Sequence, residues 1–334
     1  MARDRFRLLS LILFGATLLG AVTTAYYFRN LPHRAINYDS PLANFEKSDF
    51  SEAIAGFSKI IELDPQDAIA YYNRGLAHFN IGKFDEAISD YSKAIQINPK
   101  FSEAYNNRGF VLVNMGEVEK AIADYTLAIQ SDPNNGRAHN NRARAYATKE
   151  EIDNAIADYG EVIRISSSND PAAYFDRGYL HLLKSDWDKA ITDCNNVIRL
   201  CPTNAATYDI RGYAHLKKND FAKAISDFKI ATQFNPNDTN ALNNIAWIRG
   251  TCSLDSVRNG KEAVEAATKV CELTGWKEWV YIGTLAAGLA EAGDFNQAVK
   301  YQKQLLQMEG VREKDLVVLQ ERLELYQHKK PYHE

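Results

Sequence analysis

Apolar positions along the chain fall into two regimes. Residues 8–28 carry no charge, "LLSLILFGATLLGAVTTAYYF", and as a helix they would be about 31 Å long, the thickness of a bilayer core. Further on, the apolar residues recur at helical spacing in runs broken by polar turns, as amphipathic helices require. In the copy that contains "YYNRGLAHF", one helix is expected to end near Phe79 and a second to run from about Asp85 to Ile97, with Gly82 in the tight turn between them.

The helices come in pairs with a fixed frame. Arg74, Arg108, Arg142, Arg177 and Arg211 each precede a Gly or Ala, at spacings of 34, 34, 35 and 34 residues, so the chain is a repeat array. Gly75, Gly109, Ala143, Gly178 and Gly212 hold a small slot on the first helix, and Ala87, Ala121, Ala155, Ala190 and Ala224 hold one on the second. Gly inside a helix costs about 1 kcal/mol relative to Ala, so its recurrence calls for close approach of the paired helices there. Second helices stop before Pro65, Pro99, Pro133, Pro202 and Pro236, which lack an amide proton. The turn "SSSNDPAA" is one residue longer and puts Pro171 at a helix start behind Asp170 as N-cap.

Tyr71, Gly75, His78, Ala87, Tyr91, Ala94 and Pro99, repeated in register, resemble the tetratricopeptide repeat. The resemblance implies an all-α superhelical solenoid of about eight helix pairs, to which residues 8–28 would add one N-terminal transmembrane helix. Upstream, "FSEAIAGFSKIIELDP" reads as a second helix whose partner is cut short by Pro41. Downstream, "ALNNIAWIRG" opens a unit with five extra residues before Ala263, and Ala286 and Ala298 restore the frame. "CELTGWK" looks like a terminal module of many bacterial tetratricopeptide proteins. The expected boundaries are 1–39 for the anchor and linker, 40–310 for the array and 311–334 for a capping helix, with "HKKPYHE" as a frayed end.

Composition excludes more than it identifies. Charged residues at 25% and apolar ones at 46% suit a folded chain. Residues 1–39 carry five Arg against two Asp, so the net charge of −4 leaves −7 on the body, which argues against nucleic acid as a partner. The four Cys show no metal-ligand spacing, and Cys194 and Cys201, seven apart in one helix, would sit about 10 Å from each other, beyond disulfide reach. His78, His181 and His215 share one slot in successive frames, too far apart for joint metal ligation, and read as aromatic substitutes in the helix interface. No stretch remains for a catalytic domain, and no cofactor or metal site is expected.

An Asp stands sixteen residues after each Arg: Asp90, Asp124, Asp158, Asp193 and Asp227. Pairing within a repeat leaves no member of this set alone, so five ion pairs linking the two helices of each repeat are expected, Arg74 to Asp90 through Arg211 to Asp227. The resemblance places the first helices on the concave face. Chaperone-binding members clamp a carboxylate there with Lys three residues before the small slot, where this chain has Tyr72, Asn106, Asn140, Phe175 and Asp209. What the groove offers instead is Asn73, Asn107 and Asn141 beside Tyr72, Phe110, Tyr179, Tyr213 and Trp247, a set able to hold the backbone and side chains of an extended peptide. The same rings could pack between repeats and the same Asn could bond local backbone.

These features suggest a non-catalytic scaffold for a protein or peptide partner at a membrane surface. A self-associating structural protein and an accessory subunit of an envelope enzyme complex fit them as well. Arg3, Arg5 and Arg7 before the apolar run lean toward a cytoplasmic N-terminus, with the array on the extracytoplasmic side of a single-pass anchor. Thr23, Thr24 and Ala25 also form a tolerable cleavage site, so an exported soluble form is the alternative.

Overall fold

The computed structural model describes residues 39–334, so the apolar run at 8–28 lies outside the described residues. Among those residues all regular structure is helical: α1 Asp39–Glu46, α2 Phe50–Leu63, α3 Ala68–Asn80, α4 Phe84–Ile97, α5 Ser102–Asn114, α6 Val118–Ser131, α7 Gly136–Thr148, α8 Ile152–Ile165, α9 Pro171–Leu183, α10 Trp187–Leu200, α11 Ala205–Lys217, α12 Phe221–Phe234, α13 Thr239–Thr251, α14 Gly260–Leu273, α15 Trp279–Glu291, α16 Phe295–Leu306 and α17 Glu313–Gln327. They form eight successive pairs followed by α17. None is long and apolar enough to cross a membrane.

Local chemistry sets the boundaries. Asp67, Asn135, Asn204 and Asp238 precede α3, α7, α11 and α13, and each accepts from amides of the first turn, which have no partner inside the helix. Asp170 does the same for α9, accepting from the amides of Ala172 and Ala173. Between the two helices of a pair, α13 and α14 excepted, the chain passes through one left-handed residue. Gly82 and Gly116 take this position without strain, whereas Glu150, Ser185 and Asn219 take it at some cost.

The chain divides into two compact units, residues 39–176 and 177–334. In the first, α4, α6 and α8 each bury a tyrosine, Tyr91, Tyr125 and Tyr159, and the rings of Tyr91 and Tyr125 lie against the small slots Gly75 and Gly109. A Cβ added to Gly109 would lie 2.8 Å from Tyr125 Cε1, closer than packed atoms approach, which gives the recurring glycine its physical reason. In the second unit Gly178 faces Cys194 rather than a ring, and an added Cβ would meet Asp193 Cβ at 3.1 Å.

The second unit continues into a larger apolar core spanning α11 to α17, with Phe228, Val270, Ile282, Leu285 and Leu305 fully buried. The long link between α13 and α14 is held by two arginines: Arg249 Nη1 donates to Val257 O at 2.7 Å, and Arg258 donates to Cys252 O and to Glu291 Oε1. Buried Gln302 on α16 donates to Leu319 O at 2.7 Å and so joins α17 to the last pair. The seven residues after α17, expected to fray, are instead docked, with the Glu334 amide donating to Thr251 O at 2.7 Å. The reason is an apolar patch of Ala286, Ala290 and Tyr326, against which Tyr332 packs.

Gly109→Ala should destabilise the protein by about 1 kcal/mol or more, although Ala is the better helix former, because overpacking outweighs the gain in propensity. Gly178→Ala should cost clearly less. Denaturant melts of the two variants compare them directly, and equal losses would remove ring contact as the cause.

Candidate functional site

Each arginine of the repeat frame sits one residue before the small slot, so its side chain leaves the first helix where the paired helices are nearest. There it meets the aspartate sixteen residues on. Nε and Nη2 of Arg74, Arg108, Arg142, Arg177 and Arg211 donate to the two carboxylate oxygens of Asp90, Asp124, Asp158, Asp193 and Asp227 at 2.6 to 2.9 Å. The paired carboxylates raise the pKa of Arg74, Arg108, Arg142 and Arg211 against the opposing effect of burial. Arg74 and Arg108 also lie over the rings of Tyr71 and Tyr105, 5.5 and 5.7 Å away.

The third guanidinium nitrogen reaches backward by the same interval. Nη1 of Arg74, Arg108 and Arg142 donates to Ser58, Ser92 and Thr126 on the preceding repeat's second helix, and Arg211 donates to Asn195 Oδ1 at 2.7 Å. One arginine therefore ties three helices. Sequence reasoning missed these acceptors, although a Ser, Thr or Asn sixteen residues before an Arg was there to be read. In the turn that is one residue longer, the corresponding slot holds Gly160.

The asparagines make a second ladder. Asn141 Nδ2 donates to Asn106 Oδ1 at 2.9 Å, Asn106 Nδ2 to Asn107 Oδ1 at 3.1 Å, and Asn107 Nδ2 to the Tyr72 hydroxyl at 2.9 Å. A continuous amide chain thus crosses α7, α5 and α3. Asn73, expected in the groove, is 1% exposed and donates to Ile69 O within its own helix, so it is out of a partner's reach. Tyr179 is buried likewise, at 7%.

The remaining rings are half-buried. Tyr72 packs on Phe101 and Tyr91, with ring centroids 4.9 and 5.9 Å away. Phe110 meets Phe79 edge to face at 5.6 Å. Tyr213 lies edge-on to Trp187, with Lys217 Nζ 5.1 Å from its ring. Trp247 is covered by the chain's own last residues, its Nε1 donating to Glu334 Oε2 at 3.1 Å.

Titratable groups are built into the repeats. His78 Nδ1 lies 3.1 Å from Asp90 Oδ2, and buried His139 lies 2.9 Å from Asp158 Oδ1. Burial opposes the charge on Asp158, but the bonds from Arg142 and His139 outweigh it and hold its carboxyl below the usual range. Burial pushes the His181 and His215 pKa values down. Burial, helped by Asp238, pushes Asp209 up to about 7, and its Oδ1 is sealed from solvent with no hydrogen-bond partner. All four cysteines are free, and burial pushes Cys194 and Cys271 up to about 12. Among the described residues no group of three or more His, Cys, Asp or Glu is placed to hold a metal ion.

Family models place this geometry. The tetratricopeptide repeat model matches residues 68–101 and 102–135, a second tetratricopeptide repeat model matches 136–169 and 205–238, and a TPR repeat model matches 42–82. Those segments are tetratricopeptide repeats. No curated protein matches the chain significantly. Among solved structures, the C-terminal part of a TPR repeat-containing protein from Cytophaga hutchinsonii is similar at a TM-score of 0.60 and 18% identity, over 72% of this chain and 96% of that one. YrrB, described as a TPR protein with an unusual peptide-binding site, is similar at 0.52 and 22% identity, over 56% and 95%. The pilF protein of Pseudomonas aeruginosa gives 0.51 and 17%, over 60% and 91%. At these identities the likeness establishes an all-α tetratricopeptide fold.

Removing Arg108 strands an Asp124 side chain that is 6% exposed, whereas removing Asp124 leaves an arginine that still reaches water at 21%. Arg108→Ala should therefore cost about 3 kcal/mol and Asp124→Ala less, with the double variant losing well under the sum. Additive losses in denaturant melts would mean that the pair does not couple. A second expectation concerns pH. The unfolded chain loses the Asp209 proton from about pH 4 upward, while the folded chain keeps it to about pH 7. Over that window the residue withdraws stability as pH rises, and the loss is constant above it. Asp209→Asn should accordingly raise the Tm at pH 8 by at least about 2 °C and leave it nearly unchanged at pH 4, as thermal melts across this range would show.

Proposed function

We propose that the chain is a non-catalytic interaction scaffold whose first-helix face holds an extended segment of a protein partner. In this reading residues 8–28 tether it to a membrane as a single-pass anchor, with the repeats on the extracytoplasmic side. The tetratricopeptide repeats support the scaffold role, since they present side chains at fixed intervals on rigid helices. The peptide-binding site ascribed to YrrB is in keeping with it.

One observation carries the reading. Tyr72, Phe79 and Phe110 are half-buried on α3 and α5, with Phe110 edge to face on Phe79 and Tyr72 joined through its hydroxyl to the Asn107 amide. An extended segment could pack apolar side chains on the rings and bond its backbone to those polar groups. The asparagines already serve the repeat ladder, so replacing them would disturb stability and binding together. Phe110 is the cleaner probe.

The chain is expected to remain with membranes through alkaline carbonate washing, and cross-linking there should yield a specific adduct on residues of α3, α5 or α7. Phe110→Ala should reduce that adduct severalfold while melting stays cooperative, with about 1–2 kcal/mol lost because the ring is only half-buried. An undiminished adduct would place the partner elsewhere on the chain.

A further inference from the structure

The chain's last residues make ligand-like contacts on the second unit. The Arg322 guanidinium lies over the rings of both Trp247 and Tyr332, 4.7 and 4.4 Å from their centroids, and the two rings are tilted against each other at 6.3 Å. Trp247 Nε1 donates to Glu334 Oε2 at 3.1 Å. The Glu334 amide donates to Thr251 O at 2.7 Å, using a carbonyl in the last turn of α13 that has no partner within the helix. His333 Nε2 lies 2.7 Å from Glu291 Oε2. Each of three consecutive residues thus has its own complement: a guanidinium and an indole face for an aromatic ring, a carboxylate for a basic side chain, an indole N–H for an acidic one.

Trp247 occupies the slot on α13 that Phe110 occupies on α5, one residue after the small slot. The tail therefore covers, within the second unit, the repeat position equivalent to the one assigned above to a partner in the first. Its hold is shallow, since His333 and Glu334 are exposed, Tyr332 is half-buried, and no helix or strand anchors the residues after α17.

We propose that Trp247, Thr251, Glu291 and Arg322 form a peptide-binding site selective for an aromatic residue followed by a basic and then an acidic one. Tyr332, His333 and Glu334 occupy it in cis, and a partner segment of the same pattern displaces them. The proposal rests on the reading that the first-helix face takes an extended segment, and it names the chemistry of that segment on the second unit.

The test titrates a labelled peptide of residues 328–334, HKKPYHE, amidated at its end, into the full chain and into the Y332A/E334Q variant, whose tail lacks the aromatic ring and the carboxylate charge. Binding followed by fluorescence anisotropy should be at least about tenfold tighter for the variant, the factor expected if the tail covers the site nine-tenths of the time. Adding Trp247→Ala to the variant, or replacing Tyr by Ala in the peptide, should abolish the difference. Equal affinity for both chains, no binding to either, or binding indifferent to the peptide's Tyr would overturn the proposal. So would loss of cooperative melting in Y332A/E334Q, which would make the tail part of the core rather than a displaceable occupant. Phe110→Ala, in the first unit, should leave this titration unchanged, so failure of one reading is separable from failure of the other.

Discussion

The bridging arginine is the contact on which the repeat depends. Its planar fork engages both oxygens of an aspartate on its own repeat's second helix, and its remaining nitrogen reaches a hydroxyl or amide on the second helix before. A lysine would supply a charge but not three fixed directions. Because both partners lie sixteen residues away, the bridge fixes how far each pair may slide and how closely its helices approach. The glycine facing Tyr125 follows from that approach, and the asparagine ladder follows from the stacking it maintains.

Buried charge of this kind stabilises only when it is completed. Each aspartate is almost fully enclosed, and the arginine is about four-fifths enclosed. Taking either out of water is costly, and the bidentate geometry with its extra acceptor offsets that cost. The arrangement therefore does more to select one register of packing than to add net stability. A scaffold needs that selection, since the spacing of its surface side chains is what a partner reads.

Much of this was legible because it is periodic. Helix pairs, small slots, proline stops and the Arg–Asp pairing all recur at fixed intervals, so one copy corrects the reading of another. The setting of the asparagines was not legible, because residue type alone does not say whether an amide faces solvent or a neighbour. Asn141 meets Asn106, and Asn107 meets Tyr72, at a separation of 35 residues, one more than the frame. That offset comes from the stacking of repeats and has no counterpart in local pattern. The docked tail was beyond local reading for a similar reason: Glu334 finds Trp247 87 residues earlier, and a short polar segment carries no helical or strand periodicity to announce it.

That tail contact changes how the end of the array opens. In a stack where each repeat touches only its neighbours, unfolding proceeds inward from a free end, one helix at a time. A clip between α13 and the residues after α17 closes the intervening helices into a loop, so none of α14 to α17 can peel away while the clip holds. Amide exchange in these helices then becomes a shared event with a common opening free energy, rather than a gradient falling toward the terminus. Occupancy of one small patch sets how far opening from this end can travel.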